Sequence, residues 1–196
     1  LASRNLSFPI KSTQMKLQLI IPMSGIGKRF IDAGYQVPKF LIEVDGKSII
    51  EHVIDMYPGI ESPVFICNRD HLENSKLNLK KKLLKIRPKS KIVSIKAHKK
   101  GPIFAVLKAL SYVKLDLPTI VNYCDFNCIW NFNLFKEYIK NTNCDGCVMT
   151  YKGFHPHMIH NTNYAYVKTK KLKIIDIQEK QPFTSLPTVS YTHLRA

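Results

Sequence analysis

Glycines and cations cluster just after an apolar run near the start of the chain. Residues 17–21 are apolar at almost every position, which is typical of a parallel strand buried on both faces. Gly25 and Gly27 follow, and glycine lets backbone N–H groups turn toward an anion. Because open α/β sheets bind ligands at the carboxyl ends of their strands, this loop is predicted to hold a phosphate chain. The neighbouring cations are Lys28, Arg29 and Lys39.

Two common phosphate-binding motifs do not describe this loop. A Walker A loop needs Gly-x-x-x-x-Gly-Lys-Ser/Thr, which the stretch lacks. A dinucleotide fingerprint needs a third glycine, but Phe30 occupies that position, where close helix–strand packing leaves no room for a side chain. What remains is a strand, Gly-x-Gly-x-Arg ending at Arg29, and then Pro38-Lys39. A glycine-rich strand-to-helix turn with surface cations is the alternative.

Two later positions are predicted to join this loop. Gly101 and Pro102 precede an apolar helical pattern, and proline is favoured in the first turn of a helix. Residues 117–123 are predicted to form a strand, and Asp125 follows it. A carboxylate at that edge of the sheet is well placed to hold Mg²⁺. Alternatively, Asp125 caps the helix predicted around residues 132–139, and the two roles are compatible.

The spacing of apolar segments predicts alternating strands and helices. Strands are expected at 17–21, 63–67, 91–96, 117–123 and 147–151. Ser48 and Glu51 form a capping-box pattern before a helix, and Asp70 is expected to cap a basic helix that runs to about Ile86. Residues 40–44 are expected to be extended, and 163–168 and 173–178 to pair. This alternation predicts an α/β, Rossmann-like layered sheet.

Taken together, these motifs resemble the nucleotidyltransferases that make nucleotide-sugars. The resemblance covers about residues 16–183. It includes Glu179-Lys180-Gln-Pro-Phe, which is similar to the Glu-Lys-x-Pro segment of that family. Ser24 stands where many relatives have glycine or alanine. The run from Gly153 to His157, with Glu179 and Lys180, resembles a subgroup that acts in capsule and lipopolysaccharide precursor synthesis.

The resemblance implies a fold, a cofactor and a set of site residues. The implied fold is three-layer α/β/α with a mixed, mostly parallel central sheet, of the nucleotide-diphospho-sugar transferase type. The implied cofactor is Mg²⁺, held by Asp125. The implied catalytic residues are Arg29 and Lys39. The implied nucleotide-binding residues are Met23, Ser24, Gly25, Gly27, Lys28 and Gly101, and Glu179 and Lys180 are expected to bind the sugar phosphate. For Glu179 and Lys180, a plain ion pair at a strand end is the alternative.

The implied activity is transfer of a nucleotidyl group from a nucleoside triphosphate to a phosphorylated sugar or similar small molecule, forming an NDP- or CMP-activated product and pyrophosphate. A GT-A glycosyltransferase that uses a nucleotide-sugar donor is the enzymatic alternative, although Asn127 stands where the second acid of an Asp-x-Asp motif would be. A non-catalytic nucleotide-binding domain is the other alternative.

The composition of the chain limits the kinds of binding partner and the cell compartment that are expected. The net charge is +16, and lysines are concentrated in residues 76–100. That stretch lacks the interleaved aromatics that stack on bases, so nucleic-acid binding is not favoured. No apolar run approaches the ~20 residues that span a bilayer, and no signal-peptide pattern opens the chain. Five cysteines without framework spacing indicate a reducing compartment, so a cytoplasmic location is expected.

A cysteine pair and a group of histidines resemble metal-binding patterns, but neither is interpreted as a metal site. Cys144 and Cys147 have Cys-x-x-Cys spacing, but no second pair completes a zinc set. The histidines between 155 and 160 lie in a Pro- and Asn-rich segment without i, i+4 spacing, so a substrate-side loop is favoured over a metal site.

The two ends of the chain are expected to be foreign to the domain. Met15 directly precedes the first strand, so residues 1–14 are interpreted as a non-native leader. Residues 187–196 do not continue the preceding pattern and are interpreted as a foreign tail. The domain is then 15–186, truncated at its C-terminus, and homo-oligomerisation is expected because an uncovered apolar face promotes self-association.

Overall fold

The computed structural model describes residues 15–150 and 164–185, together with the backbone of 187–194. In chain order the strands are β1 (Gln18–Met23), β2 (Glu43–Val44), β3 (Lys47–Ser48), β4 (Val64–Asn68), β5 (Lys91–Ile95), β6 (Thr119–Val121), β7 (Gly146–Thr150), β8 (Ala165–Lys170), β9 (Lys173–Glu179) and β10 (Pro187–Leu194). The helices are α1 (Lys28–Asp32), α2 (Ile49–Asp55), α3 (Arg69–Glu73), α4 (Leu79–Ile86), α5 (Gly101–Lys108) and α6 (Phe132–Thr142). Short 3-10 turns lie at Lys39–Leu41 and Leu110–Tyr112.

Four parallel strands, in the order β5-β4-β1-β6, form the centre of the main sheet. Ile20 of β1 lies opposite Val64 of β4 on one side and Val121 of β6 on the other. Every residue of β1 is buried, as expected for a parallel strand covered on both faces. The strand continues through Pro22, past its predicted end. The parallel α/β sheet predicted from the sequence is confirmed.

Antiparallel strands extend the sheet beyond β6. β10 pairs with β6, β7 and β8, and β8 pairs with β9 as a hairpin. The sheet is therefore mixed but parallel at its centre, as the resemblance implied. The pairing of β8 with β9 agrees with the paired strands expected around a lysine-rich turn.

Helices cover both faces of the parallel strands. On one face, Leu19 and Ile21 belong to a buried cluster with residues of α2, α4 and α6, including Val53, Leu83 and Ile139. On the other face, the buried cluster comprises Ile20, Val64, Ile66, Val93, Ala105, Ala109 and Val121. Alternate residues of β1 thus enter opposite layers, which gives the three-layer α/β/α arrangement.

The sequence-based prediction was wrong for the segment after β4. The structure has two helices, α3 and α4, instead of one helix from Asp70 to Ile86. Asn68, and not Asp70, caps α3, because its side chain accepts a hydrogen bond from the Asp70 N–H at 3.0 Å. The chain turns between the helices, and Asn78 adopts φ 46° before α4, a left-handed conformation that asparagine tolerates better than most residues.

Of two shorter segments before and at the start of α2, the first departs from the prediction and the second matches it. The extended segment predicted at 40–44 begins instead as the 3-10 turn at Lys39–Leu41, and only Glu43–Val44 is strand. The capping box is confirmed, since Glu51 accepts hydrogen bonds from the Ser48 N–H at 2.8 Å and from the Ser48 hydroxyl at 2.6 Å. The first of these bonds satisfies the backbone N–H at the N-cap of α2, which would otherwise be unpaired.

The interpretation of residues 1–14 as a leader and of 187–196 as a tail remains a prediction. The leader assigned to 1–14 lies outside the described residues. The backbone of 187–194, within the segment interpreted as a tail, runs as β10 between β6 and β8. Among 15–150, 164–185 and the β10 backbone, no helix is long and apolar enough to cross a bilayer.

Leu83→Ala is expected to lower the free energy of unfolding by about 2–5 kcal/mol, because Leu83 is fully buried and its truncation leaves a cavity. Leu134→Ala is the matched control: Leu134 is also helical but 62% exposed, and its loss should change stability by less than ~0.5 kcal/mol. Urea unfolding of both variants measures the difference. Equal effects would contradict the placement of α4 against the sheet.

Candidate functional site

A cavity of about 220 Å³ opens at the carboxyl ends of β1 and β6. The residues that line it include Met23, Ser24, Gly25, Gly27, Lys39, Gly101 and Asp125, all of them predicted site residues. They come from four parts of the chain: the end of β1 with the loop after it, the 3-10 turn at Lys39–Leu41, the start of α5 and the segment after β6. The cavity therefore lies at the edge of the sheet where parallel α/β proteins bind ligands.

The loop after β1 depends on glycine at one position. Gly27 has φ 69° and caps α1 in the left-handed conformation, which disfavours residues with a Cβ atom. Its carbonyl accepts a hydrogen bond from the Phe30 N–H at 2.9 Å. This geometry turns the chain sharply into α1 beside the cavity.

Lys39 and Asp125 form an ion pair at the cavity. The Lys39 ammonium donates a hydrogen bond to the Asp125 carboxylate, with 2.6 Å between Nζ and Oδ2. Lys39 begins the 3-10 turn after Pro38, and Asp125 follows β6, so residues far apart in sequence meet here. Their side chains are 29% and 40% exposed, which leaves both accessible to a ligand.

A second polar contact joins the loop after β1 to the segment before α5. The Oγ of the buried Ser24 lies 3.2 Å from Nε2 of His98. His98 Nδ1 accepts a hydrogen bond from the Lys100 N–H at 3.3 Å, so in neutral imidazole Nε2 carries the proton and donates to Ser24. The His98 ring also makes an edge contact with Phe104, with 4.8 Å between centroids. The imidazole is thereby held in place against the cavity.

Cys124 lies beside Asp125 but is poorly suited to nucleophilic chemistry. Burial, opposed by Lys39 and reinforced by Asp125, raises the pKa of the Cys124 thiol to about 12. The thiol is therefore protonated at neutral pH, and the thiolate is the reactive form.

The hairpin of β8 and β9 approaches the same site through Tyr164. Burial first, and then the Asp125 carboxylate, raise the pKa of the Tyr164 phenol. The Lys180 N–H donates to the Tyr164 carbonyl at 2.8 Å. Glu179 and Lys180 are exposed and pair with each other at 3.7 Å between Oε1 and Nζ. Neither residue is among the described residues that line the cavity, and the structure shows them as an exposed pair at the end of β9.

The other two predicted cations occupy different positions. Lys28 and Arg29 lie in α1, directly after Gly27, and both are exposed. Within the described chain, neither lines the cavity. Both directly follow Gly27, which does line it, and this end of the cavity is called its mouth.

Gly27→Ala is expected to lower the free energy of unfolding by about 1–2 kcal/mol, since a Cβ atom is strained in the left-handed conformation. No heavy atom lies within 4 Å of the added Cβ, so backbone strain is the only expected penalty. Gly25→Ala is the control, because its Cβ position is equally open and its φ is not in that region. Thermal unfolding compares the two, and equal stabilities would contradict the strained turn.

Comparison with solved structures identifies the architecture. A nucleoside-diphosphate-sugar pyrophosphorylase from Vibrio cholerae RC9 is similar over 90% of this chain and 72% of that chain, with a TM-score of 0.68 and 21% identity. A putative glucose-1-phosphate thymidylyltransferase from Bacillus anthracis covers 92% of this chain and 72% of its own, with a TM-score of 0.72 and 18% identity. An inositol-1-phosphate CTP transferase from T. maritima is similar over 91% of this chain and 70% of that chain, with a TM-score of 0.66 and 16% identity.

The chain has the sugar nucleotidyltransferase fold. No family profile matches the sequence, and no curated protein matches it. The fold class implied by the resemblance is thus confirmed by the structure. The fold by itself does not assign an activity.

Within this nucleotidyltransferase fold, the described site offers one carboxylate to a metal ion. Mg²⁺ is commonly held by one or two carboxylates together with substrate phosphates and water. Asp125 is exposed to the cavity and therefore fits such a role. Among the described residues, no group of three or more His, Cys, Asp and Glu side chains forms a metal cage, and the histidines predicted for a substrate-side loop at 155–160 lie outside them. The alternative role, capping of α6, belongs instead to Asn131, which accepts hydrogen bonds from the N–H groups of Asn133 and Leu134.

Sequence reasoning gave no role to His98, which lines this cavity, or to Tyr164, whose phenol pKa responds to Asp125. His98 lies three residues before Gly101 but carried no predicted role, and its distance from Ser24 in the sequence hid their contact. Tyr164 had no signal at all, because its position depends on the β8–β9 hairpin. A search for polar residues just before each predicted helix would have found His98.

Proposed function

We propose that this chain transfers a nucleotidyl group from a nucleoside triphosphate to a sugar phosphate, or to a similar phosphorylated small molecule, and releases pyrophosphate. The observation that carries the proposal is the Lys39–Asp125 pair, 2.6 Å apart, beside the Gly25–Gly27 loop. A cation, a carboxylate and a glycine-containing loop at one cavity are the groups that a triphosphate and a divalent metal need. The likeness to the solved pyrophosphorylases supports the same reaction.

The reaction needs no covalent intermediate. A phosphate oxygen of the acceptor forms a bond to the α-phosphorus, and the bond from that phosphorus to the oxygen bridging to the β-phosphate breaks. Pyrophosphate leaves with the electron pair. Because the acceptor phosphate is already anionic, no side chain has to remove a proton from it. Positioning and charge stabilisation then account for catalysis.

Each predicted residue has a distinct task in this scheme. Lys39 lies between the α-phosphate and the incoming phosphate, where it offsets their mutual repulsion. Arg29, at the cavity mouth, neutralises the β- and γ-phosphates and the leaving pyrophosphate. The loop from Met23 to Lys28, with Gly101 facing it, holds the nucleotide.

Asp125 would hold Mg²⁺, which when bound neutralises phosphate charge and polarises the phosphoryl oxygens. In the structure the Asp125 carboxylate pairs with Lys39. With Asp125 engaged in holding the metal, Lys39 would contact a phosphate oxygen instead of the carboxylate.

The acceptor is proposed to bind on the hairpin side. Glu179 accepts hydrogen bonds from sugar hydroxyls, and Lys180 contacts the sugar phosphate. Their exposure and their link to Tyr164 support this side of the site. A product used in capsule or lipopolysaccharide precursor synthesis, made in the cytoplasm, is part of the proposal.

The test is a screen of pyrophosphate release with four nucleoside triphosphates against a panel of sugar phosphates in the presence of Mg²⁺. Release that requires both substrates supports the proposal. Consumption of a nucleotide-sugar in place of the triphosphate would instead select a glycosyltransferase. Binding of the triphosphate without pyrophosphate release with any acceptor would select a non-catalytic domain.

A further inference from the structure

We propose that the amino-terminal edge of the parallel sheet carries a second binding site, for a small organic phosphate of the nucleotide class. A cavity of about 430 Å³ lies there, within the size range of small-molecule sites. It is lined at the starts of three parallel strands by Gln18 of β1, Val64 of β4 and Lys91 of β5. The candidate catalytic cavity lies at the opposite ends of these strands, and a six-residue strand separates the edges by roughly 20 Å.

Among the described residues, the side chains that line this cavity carry an excess of positive charge. Its cationic lining residues are Lys16, Lys91, Lys114 and Lys136. Within the described chain, these lysines form no ion pair with a carboxylate. Glu61 is the one carboxylate among the described lining residues, and it pairs with Lys89 at 2.5 Å between Oε2 and Nζ. A concave, low-dielectric wall with uncompensated charge concentrates anions.

Lysines in the surface ion pairs of this protein do have a carboxylate partner, unlike the four lysines of the cavity. Lys47, for example, binds Asp55 at 2.7 Å on the exposed surface. The nearest polar contact of the Lys91 ammonium is the Tyr112 carbonyl at 3.5 Å, longer than a typical N–H···O bond. Its donors are thus available to a phosphate.

The floor of the cavity is apolar, which favours an organic phosphate over an inorganic ion. Val64 and Phe132 are nearly fully buried and line it. The Lys136 ammonium lies 5.2 Å from the centre of the Phe132 ring, so a cation and an aromatic surface are adjacent. Apolar walls with a few convergent charged groups are typical of small-molecule sites.

The wall that carries Lys114 is held by buried hydrogen bonds. The Lys114 N–H donates to Gln18 Oε1 at 3.0 Å, and Gln18 Nε2 donates to Thr119 Oγ1 at 2.6 Å. Gln18 itself is buried. The segment before β6 is therefore fixed to the start of β1, which places the Lys114 side chain at the cavity without a change in the fold.

The experiment is a titration of the ¹⁵N-labelled full chain with ATP, followed by amide chemical shifts. The amides of Gln18, Lys91 and Lys114 should shift as one group, separately from those of Gly25 and Gly27. Adenosine and inorganic triphosphate are titrated in parallel, and each should bind more weakly than ATP. Lys91→Ala/Lys114→Ala should weaken the first group's response about ten-fold or more, because bonds to charged groups are strong.

The control is Lys80→Ala/Lys81→Ala, which removes the same charge from positions of α4 that are also exposed but do not line the cavity. It should leave the response unchanged, and thermal unfolding confirms that both double variants are folded. Lys91→Gln/Lys114→Gln replaces the alanine variant if that one unfolds. No response at the amino-terminal edge, or equal losses in the two double variants, would overturn the proposal. The readout is binding alone, so it does not depend on the proposed catalytic activity.

Discussion

Asp125→Asn should slow pyrophosphate release at least about 100-fold, the size of effect that follows loss of one preorganised charged group. Asparagine keeps the shape of the side chain but loses the charge that a hard cation seeks and that balances Lys39. The remaining activity should need a higher Mg²⁺ concentration. Initial rates measured over a range of Mg²⁺ concentrations give both quantities.

Asp55→Asn is the matched control for this variant. Asp55 also accepts from a lysine, Lys47, at 2.7 Å, but its pair lies on the exposed surface away from the cavity. Breaking it should leave turnover unchanged and alter stability little, because exposed ion pairs contribute little. If Asp125→Asn were fully active at the same Mg²⁺ concentration, then Asp125 would serve only to position Lys39.

The central strands and the loop could be predicted because their signals are local. β1 is buried on both faces, and its sequence shows this directly as a run that is apolar at every position except Gln18. The turn at Gly27 needs a residue without a Cβ atom, and the capping box of Ser48 and Glu51 depends on residues three apart. In each case the physical cause lies within one element, where one-dimensional reasoning can find it.

The break between α3 and α4 could not be predicted in the same way. Helix propensity alone permits one helix through lysine-rich residues, but the buried Leu77 and Leu79 fix the chain against the core on both sides of Asn78. That packing imposes a left-handed turn at Asn78 which local propensity does not require. Tertiary packing here overrides the local preference.

The site was only partly predictable for a related reason. The sequence places Lys39 and Asp125 at the ends of separate segments, 86 residues apart, and the strand order brings them together. The position of Tyr164, directly before β8, likewise depends on the pairing of β8 with β9. A parallel-sheet prediction identifies the edge where ligands bind, but the neighbours across that edge depend on strand order.

Arg29→Ala should slow turnover about 100-fold or more, with little change in stability. Arg29 is exposed in the first turn of α1, so its removal leaves no cavity and breaks no buried contact. In the proposed reaction it neutralises charge that develops on the leaving pyrophosphate, and such contacts are worth most in the transition state. The rate constant at saturating substrate should therefore fall more than the Michaelis constant rises.

Lys28→Ala provides the comparison, because Lys28 is the adjacent exposed cation of the same helix. Its removal changes the net charge equally, so a purely electrostatic steering effect would slow both variants alike and would fade with added salt. The assignment of Arg29 requires a larger and salt-insensitive loss from Arg29→Ala, measured as pyrophosphate release at two ionic strengths. An active Arg29→Ala enzyme, or equal losses in the two variants, would show that the cavity mouth attracts the triphosphate without taking part in the transfer.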